Sequence, residues 1–380
     1  MKVPFLDLRR QVGILRAEIE DSFHQFLDSG SYILGSEVAA FEKEFAAFHQ
    51  LPYAAGTGNG TDAIALALLA CGRIEPHCGQ EVITTTITAG FTALAIRMAG
   101  AVPVLADVCP DTLQISPDQV ESLITSRTRA ILPVHLYGQS ADLDPLRQIA
   151  GRHDLALIED CSQAHGTEYR GRKVGTCGSL ATFSFYPTKN LGAFGDGGMV
   201  LSASEEMIQK VRLLRGGGID KSGGHAVAGI NSRLDEIHAA MLRRKLPLLE
   251  AWSSRRRLLA GRYLCGLQGT SARPCLPGAD RAALSSWTVP DGHTFHLFVI
   301  RHPRRDELQG FLRERGIQAL VHYPLPLHSQ PAFRPFVRAG QRFPEADAAV
   351  REILSLPLYP ELTEEEQDLV IQAVRDFERR

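Results

Sequence analysis

No apolar run in these 380 residues is long enough to span a bilayer. The longest, near positions 89–106, is broken by Arg97 and Pro103, whereas a spanning helix needs about 20 predominantly apolar residues. A signal sequence is not expected either, because Lys2, Asp7, Arg9 and Arg10 fall where its apolar core would lie. Neither sign of charge dominates. With 41 Lys and Arg against 43 Asp and Glu the formal net charge is −2, which gives no field for a nucleic acid or an anionic membrane. Cysteine is sparse: seven residues, an odd number, without a Cys-x-x-Cys pair. Neither a disulfide frame nor a zinc site is expected, and reduced thiols point to the cytoplasm. Internal repeats and low-complexity segments are absent.

What remains is an ordinary globular composition, 44% apolar and 22% charged. The length suits one large and one small domain. Leu15, Ile19, Phe23 and Phe26 recur at helical spacing, as do Val38, Phe41, Phe45 and Phe48. Strand-like runs then alternate with helical ones: strands over 81–86, 102–108, 130–137 and 155–160, helices near 89–99, 117–126 and 143–151. That rhythm predicts a mostly parallel sheet covered by helices on both faces. From Arg233 a long helical pattern, interrupted near Pro247, leads toward Leu264. The tail predicts a strand over 296–301, a helix over 305–315, a strand over 317–322, and helices near 345–354 and 363–377. The basic residues 243–245 and 255–257 read as a solvated face.

Three pieces of the chain carry chemistry. Residues 54–61, Ala-Ala-Gly-Thr-Gly-Asn-Gly-Thr, lead directly into an apolar helix. A glycine-rich turn opening a helix offers free N–H groups and a positive dipole end to a phosphate. It is neither a P-loop nor a dinucleotide fingerprint. Asp160 closes the run Leu-Ala-Leu-Ile-Glu-Asp, at the strand end where α/β sheets bind ligands. Lys189 follows Pro187 at a break between two strand-like runs, with Ser184 and Thr188 nearby. A desolvated lysine amine condenses with a carbonyl to a Schiff base. Phosphate donors, an acid and a Schiff-base lysine are together what pyridoxal phosphate requires. His322 and His328 are two histidines with no third ligand beside them, so no metal site is expected.

These residues lie within a longer series of motifs. It includes Val3-Pro-Phe-Leu-Asp-Leu8, Gly30-Ser-Tyr-Ile-Leu-Gly35, Phe41-Glu-x-Glu-Phe-Ala46, Gly60-Thr-Asp-Ala63 and Pro133-Val-His-Leu-Tyr-Gly-Gln139. It continues through Glu159-Asp-Cys-Ser-Gln-Ala-His-Gly166, Ser184-Phe-Tyr-Pro-Thr-Lys189, Gly229-Ile-Asn-Ser-Arg-Leu-Asp-Glu-Ile-His-Ala-Ala240, His322-Tyr-Pro-Leu-Pro-Leu-His328 and Leu354-Ser-Leu-Pro-Leu358. In this order, over nearly the whole length, the chain resembles the DegT/DnrJ/EryC1/StrS family of sugar aminotransferases. The resemblance implies the aspartate-aminotransferase (type I) α/β fold. It places a large domain with a mostly parallel, seven-stranded sheet over residues 1–250 and a small α+β domain over 251–380.

The resemblance also assigns roles. Lys189 forms the Schiff base and shuttles the proton, Asp160 pairs with the pyridine nitrogen, and Gln163 contacts the ring hydroxyl. Gly60, Thr61 and Ser184 hold the phosphate with Asn231 from a second subunit, which makes the protein a homodimer. Tyr32, Tyr186 and His322 line the sugar-nucleotide pocket. The runs 189–198 and 232–246 resemble the branch acting at C-3 of dTDP-linked keto-6-deoxyhexoses, with glutamate as amino donor. Two alternatives stay open: the C-4 branch, which more often has Gly-Glu-Gly-Gly after its lysine, and a pyridoxal-phosphate-binding regulatory protein without turnover. Lys189 itself argues against a dehydratase, whose relatives carry histidine there. The chain departs from the family at Ala89, where an aromatic is common and Phe91 is the substitute, and at Gly216–Gly218 and Ser222.

Overall fold

The computed structural model describes residues 2–278 and 287–380. Helices α1 (Leu8–Ile14), α2 (Arg16–Ser29) and α3 (Ser36–Phe48) precede strand β1 (Tyr53–Thr57). The alternation then runs α4 (Gly60–Ala70), β2 (Glu81–Thr85), α5 (Gly90–Met98), β3 (Val102–Ala106), α6 (Pro117–Ser122), β4 (Thr128–Leu132), α7 (Leu143–Arg152) and β5 (Ala156–Asp160). A short hairpin, β6 (Glu168–Tyr169) and β7 (Arg172–Lys173), comes before β8 (Leu180–Ser184) and β9 (Gly198–Ser202). Helices α8 (Glu205–Arg215), α9 (Glu236–Lys245) and α10 (Leu249–Gly266) lead to the last unit. It comprises β10 (Arg273–Pro274), β11 (Phe298–Arg301), α11 (Arg305–Glu314), α12 (Pro344–Glu352), β12 (Ile353–Leu356) and α13 (Glu364–Glu378).

Seven strands form one sheet in the order β1-β9-β8-β5-β4-β2-β3. Neighbours from β8 to β3 are parallel, while β9 runs antiparallel to both β8 and β1. Strands β2, β5 and β9 are buried along their whole length, as apolar strands covered on both faces must be. One face packs on Ile64, Leu66, Ile96 and Ile208. The other packs on Phe41, Phe45, Phe183, Phe185 and Leu242. A separate core joins Leu259, Tyr263, Phe298, Ile300, Phe311, Leu354 and Phe377, and Val3 enters it from the amino terminus. Helix α10 serves both cores, with Leu249 in one and Leu259 in the other.

Proline and burial account for where the structure departs from the periodicity. Strand β4 stops at Leu132, short of Tyr137, because Pro133 has no N–H to continue the ladder. The strand expected over 317–322 is absent. Only isolated bridges join Val3 to Ile317 and Leu320 to Ser355, and the backbone then leaves toward Pro324 and Pro326, which donate nothing. The helix expected to 354 ends at Glu352, where the buried run Ile353–Leu356 pairs antiparallel with β11 instead. The break near Pro247 is a 3-10 turn over Leu246–Leu248.

One contact ties two of the separated motifs together. The buried carboxylate of Glu236 accepts hydrogen bonds from the backbone N–H groups of Gly35 (2.8 Å), Glu37 (2.9 Å) and Val38 (2.8 Å). It thereby caps the start of α3, which has no side-chain cap of its own. Among the described residues no helix is long and apolar enough to cross a membrane.

Candidate active site

A cavity of about 640 Å³ opens beyond the carboxyl ends of the parallel strands, where such sheets place ligands. Its floor is the start of α4. Asn59 caps this helix through a 2.8 Å bond from Asp62 N–H to Oδ1. Among the described residues the N–H groups of Gly60 and Thr61 meet no acceptor, so two donors at a positive helix end face the cavity. Ser184, at the end of β8, stands against them. A Cβ on Gly60 would lie 2.6 Å from Ser184 Cβ and 3.2 Å from its Cα, so glycine is required by space. Gly60→Ala is expected to cost about 1–3 kcal/mol of stability, read as a lower urea midpoint, and to weaken phosphate binding at this turn.

Asp160 enters from the end of β5 and is almost fully buried. Its Oδ1 accepts from Ser162 N–H (3.1 Å) and its Oδ2 from the Thr92 hydroxyl (3.0 Å). Its main chain is clamped to the β4 exit, with Asp160 N–H on Pro133 O (2.9 Å) and His135 N–H on Asp160 O (3.0 Å). Gln163 is held on both sides of its amide. Oε1 accepts from Tyr137 N–H (2.8 Å), and Nε2 donates to Tyr323 Oη (3.0 Å). One N–H of Gln163 is left for a ligand.

Lys189 projects from a turn that glycine makes possible. A Cβ on Gly192 would come within 2.3 Å of Pro187 O, and the buried Lys245 ammonium fixes the same turn by donating to Gly192 O (2.7 Å). The Lys189 amine reaches the open cavity yet is surrounded by protein. Burial pulls its pKa down to about 8, against the pull of Asp160, which raises it. The lysine therefore carries a neutral, nucleophilic fraction near neutrality that an exposed lysine lacks. The imidazoles nearby stay uncharged. Burial, reinforced by Lys189, pushes His322 down to about 4 and His296 well below its usual range.

The structure brings Gly60, Thr61, Asp160, Gln163, Ser184, Tyr186, Lys189 and His322 to this one cavity. Thr188 joins them, and Phe91, largely exposed, stands on the rim with Ala89. Tyr32 and Asn231 are elsewhere. Tyr32 is half-exposed against Phe26 (4.9 Å between centroids), and Asn231 is exposed in a bridge to Gly216. His328 is satisfied, between the Thr86 hydroxyl (2.7 Å) and Asp347 (3.0 Å) and stacked on Phe343. One buried group among the described residues, His135, Glu159 and Cys161, has metal-ligand types in reach of one another. Its Glu159 is already engaged by His135 and by three backbone N–H groups, those of Gly175, Cys177 and Gly178.

Sequence reading missed Thr92, Tyr323, Asn190 and His296. Asn190 Nδ2 donates to Thr294 O (3.1 Å), so its Oδ1 receives the Nδ1–H of His296 (3.1 Å). Tyr323 lies inside the motif His322–His328, where only its neighbour His322 was singled out. Thr92 stands one helical turn beyond Thr88 and could have been found by that spacing; the Asn190–His296 pair joins remote segments and leaves no local signal.

Orphan N–H donors beside two hydroxyls, a buried carboxylate and a lysine with a lowered pKa surround one space. That donor set fits pyridoxal phosphate. Comparison with known proteins agrees. The DegT/DnrJ/EryC1/StrS aminotransferase family profile matches residues 14–375. The chain is 45% identical over 379 residues to the "Pleiotropic regulatory protein" of Geobacillus stearothermophilus, covering 100% of this chain and 99% of that one. It is also 45% identical over 379 residues to the dTDP-3-amino-3,4,6-trideoxy-alpha-D-glucose transaminase of Streptomyces venezuelae, covering 100% and 97%. The crystal structure of S. venezuelae DesV in complex with a ketimine intermediate superimposes with a TM-score of 0.92 at 44% identity, covering 100% of this chain and 99% of DesV.

Proposed function

This chain belongs to the DegT/DnrJ/EryC1/StrS aminotransferase family, and from that premise we propose its reaction: transfer of an amino group from glutamate to the 3-keto carbon of a dTDP-linked 6-deoxyhexose, with pyridoxal phosphate as cofactor. The observation that carries the reading is the convergence of Lys189, Asp160 and the start of α4 on one cavity. Pyridoxal phosphate, when bound, supplies an electron sink for the carbon that gains or loses the amine. Lys189 Nζ would hold the cofactor aldehyde and, once released, carry the proton at the reacting carbon. The Asp160 carboxylate would keep the pyridine nitrogen protonated. Gly60, Thr61 and Ser184 would anchor the phosphate, and the spare Gln163 N–H would reach the ring hydroxyl. Tyr186 and His322 would line the sugar side.

Asn231 and Tyr32 fit this scheme as residues lent to a second copy. Their segments expose Tyr32, Ile33, Leu34 and Ile230, an apolar surface suited to a homodimer face. The reading thus includes a cytoplasmic homodimer, with residues 1–250 as the cofactor-binding domain and 251–380 as the small domain. Position C-3 is favoured by Asp196, which lines the cavity in the run Gly195-Asp-Gly-Gly198, and by the name of the S. venezuelae relative. A regulatory protein without turnover is the second reading, favoured by the name of the G. stearothermophilus relative. Incubation with glutamate and a panel of 3-keto and 4-keto dTDP-6-deoxyhexoses, with products identified by mass spectrometry, separates these. Faster amination of the 3-keto sugars is expected. Equal or faster turnover of 4-keto sugars would sink the C-3 assignment.

A further inference from the structure

Arg256 is a buried cation with no carboxylate bound to it. It lies on α10 with 5% of its surface exposed, and its Nη1 donates to the carbonyls of Phe295 (3.1 Å) and Leu358 (2.9 Å). Its Nε–H is sealed from solvent without an acceptor. Nη2 makes no hydrogen bond or ion pair with any described residue and is not sealed. One acid, Glu361, is felt electrostatically without a bond to it, and its Oε1 is without a partner. Burial lowers the guanidinium pKa to about 10. Holding an unpaired charge in that position is expensive, unless a ligand brings the counter-charge.

Arg256 forms one wall of a second chamber, of about 540 Å³. Thr188, His296, Leu297 and His322 line both this chamber and the Lys189 cavity, so the two adjoin. The remaining ionised groups on the wall, Asp7 and Arg9, neutralise each other through two bonds of 3.0 Å. Both histidines are held neutral by burial. Among the described residues Arg256 is therefore the one charge facing the chamber without an ion-pair partner. Gln318 adds a donor there: its Oε1 accepts from Phe5 N–H (3.1 Å), which leaves Nε2 free.

We infer that Arg256 seats the side-chain carboxylate of the amino-acid donor, so that the enzyme prefers a dicarboxylic amino acid whose amine lies at Lys189. The inference rests on the aminotransferase reading of Lys189. A guanidinium N–H donating to a carboxylate makes a strong, charge-assisted bond. A single cation matches a single negative charge. A nucleotide diphosphate would bring more charge than Arg256 neutralises, and would meet Asp7.

The test uses the holoenzyme and its Arg256→Gln, Arg256→Lys and Gln318→Glu variants. Gln318→Glu keeps the acceptor for Phe5 and places a negative charge in the chamber, so it decides the matter if Arg256→Gln does not fold. Calorimetry with glutarate and with pyrophosphate reads the two anion types directly. Absorbance of the bound cofactor reads the half-reactions with glutamate and with alanine. Arg256→Gln and Gln318→Glu are expected to weaken glutarate at least tenfold and to slow glutamate at least tenfold relative to alanine, with pyrophosphate unaffected and Arg256→Lys intermediate. Absence of glutarate binding in the parent, unchanged glutarate binding in folded variants, equal losses for glutamate and alanine, or a loss confined to pyrophosphate would each overturn the assignment. Should no amino acid convert the parent's cofactor, the aminotransferase reading fails, while glutarate binding still reports on the chamber.

Discussion

Lys189→Met is expected to abolish amino transfer and, in the cofactor-free protein at pH 7, to raise stability. The two effects have one cause. The methionine fills nearly the same space but removes an amine whose charge is disfavoured by burial, with a pKa of about 8 in the folded chain against the ordinary lysine value near 10.4. Each unit of that shift corresponds to about 1.4 kcal/mol. Because the amine also touches the open cavity, a gain of about 1–3 kcal/mol is expected. The pH dependence has a definite sign. Below about pH 8 the folded and unfolded chains both carry the proton and the penalty is complete. Between that value and about 10.4 the unfolded chain binds the extra proton, so parental stability rises with pH and the advantage of the variant fades. Urea midpoints at pH 7 and pH 10, beside an assay of amino-sugar formation, check both halves. A variant that is inactive but no more stable at pH 7 would contradict the desolvated amine.

Asp160→Asn is expected to lower turnover at least about a hundredfold, the scale on which one preorganised electrostatic partner of a transition state acts. Its folded structure should persist. The amide oxygen can still accept from Ser162 N–H, and the amide N–H₂ can donate to the Thr92 hydroxyl oxygen, which now stands 3.0 Å from Oδ2. The urea midpoint should move by no more than about 1 kcal/mol equivalent. What the amide cannot do is balance a protonated ring nitrogen, so affinity for pyridoxal phosphate should fall as well. Near-parental turnover in this variant would remove Asp160 from the role of pyridine partner.

Much of the frame was legible because α/β proteins advertise their periodicity. Strand β5 is a short apolar run closed by Glu159 and Asp160, and α4 follows a glycine turn directly, so the sequence placed Asp160 and Gly60 at strand and helix ends. Lys189 stood out because a lone lysine between two strands had no structural duty. Other features depend on contacts between remote segments, which periodicity does not encode. Strand β12 was read as the end of a helix because Ile353–Leu356 is too short for its alternation to register, and only its pairing with β11 decides the matter. Residues 317–322 have strand-like composition but find no continuous partner. The role of Glu236 as cap for α3, the tautomer of His296 set by Asn190, and the bare guanidinium of Arg256 all require the folded chain. Arg256 in particular lay inside a basic run that reads as solvated, whereas only its neighbours Arg255 and Arg257 reach solvent, half-buried and paired with Glu364 and Glu250.

The most direct test of the central claim is the visible absorption spectrum of the purified protein supplied with pyridoxal phosphate, before and after glutamate. A yellow band that bleaches on adding glutamate is the predicted result. It would show cofactor, donor and half-reaction in one cuvette, and it should vanish in Lys189→Met. No band, or a band indifferent to every amino donor, would contradict an aminotransferase built on Lys189 and Asp160.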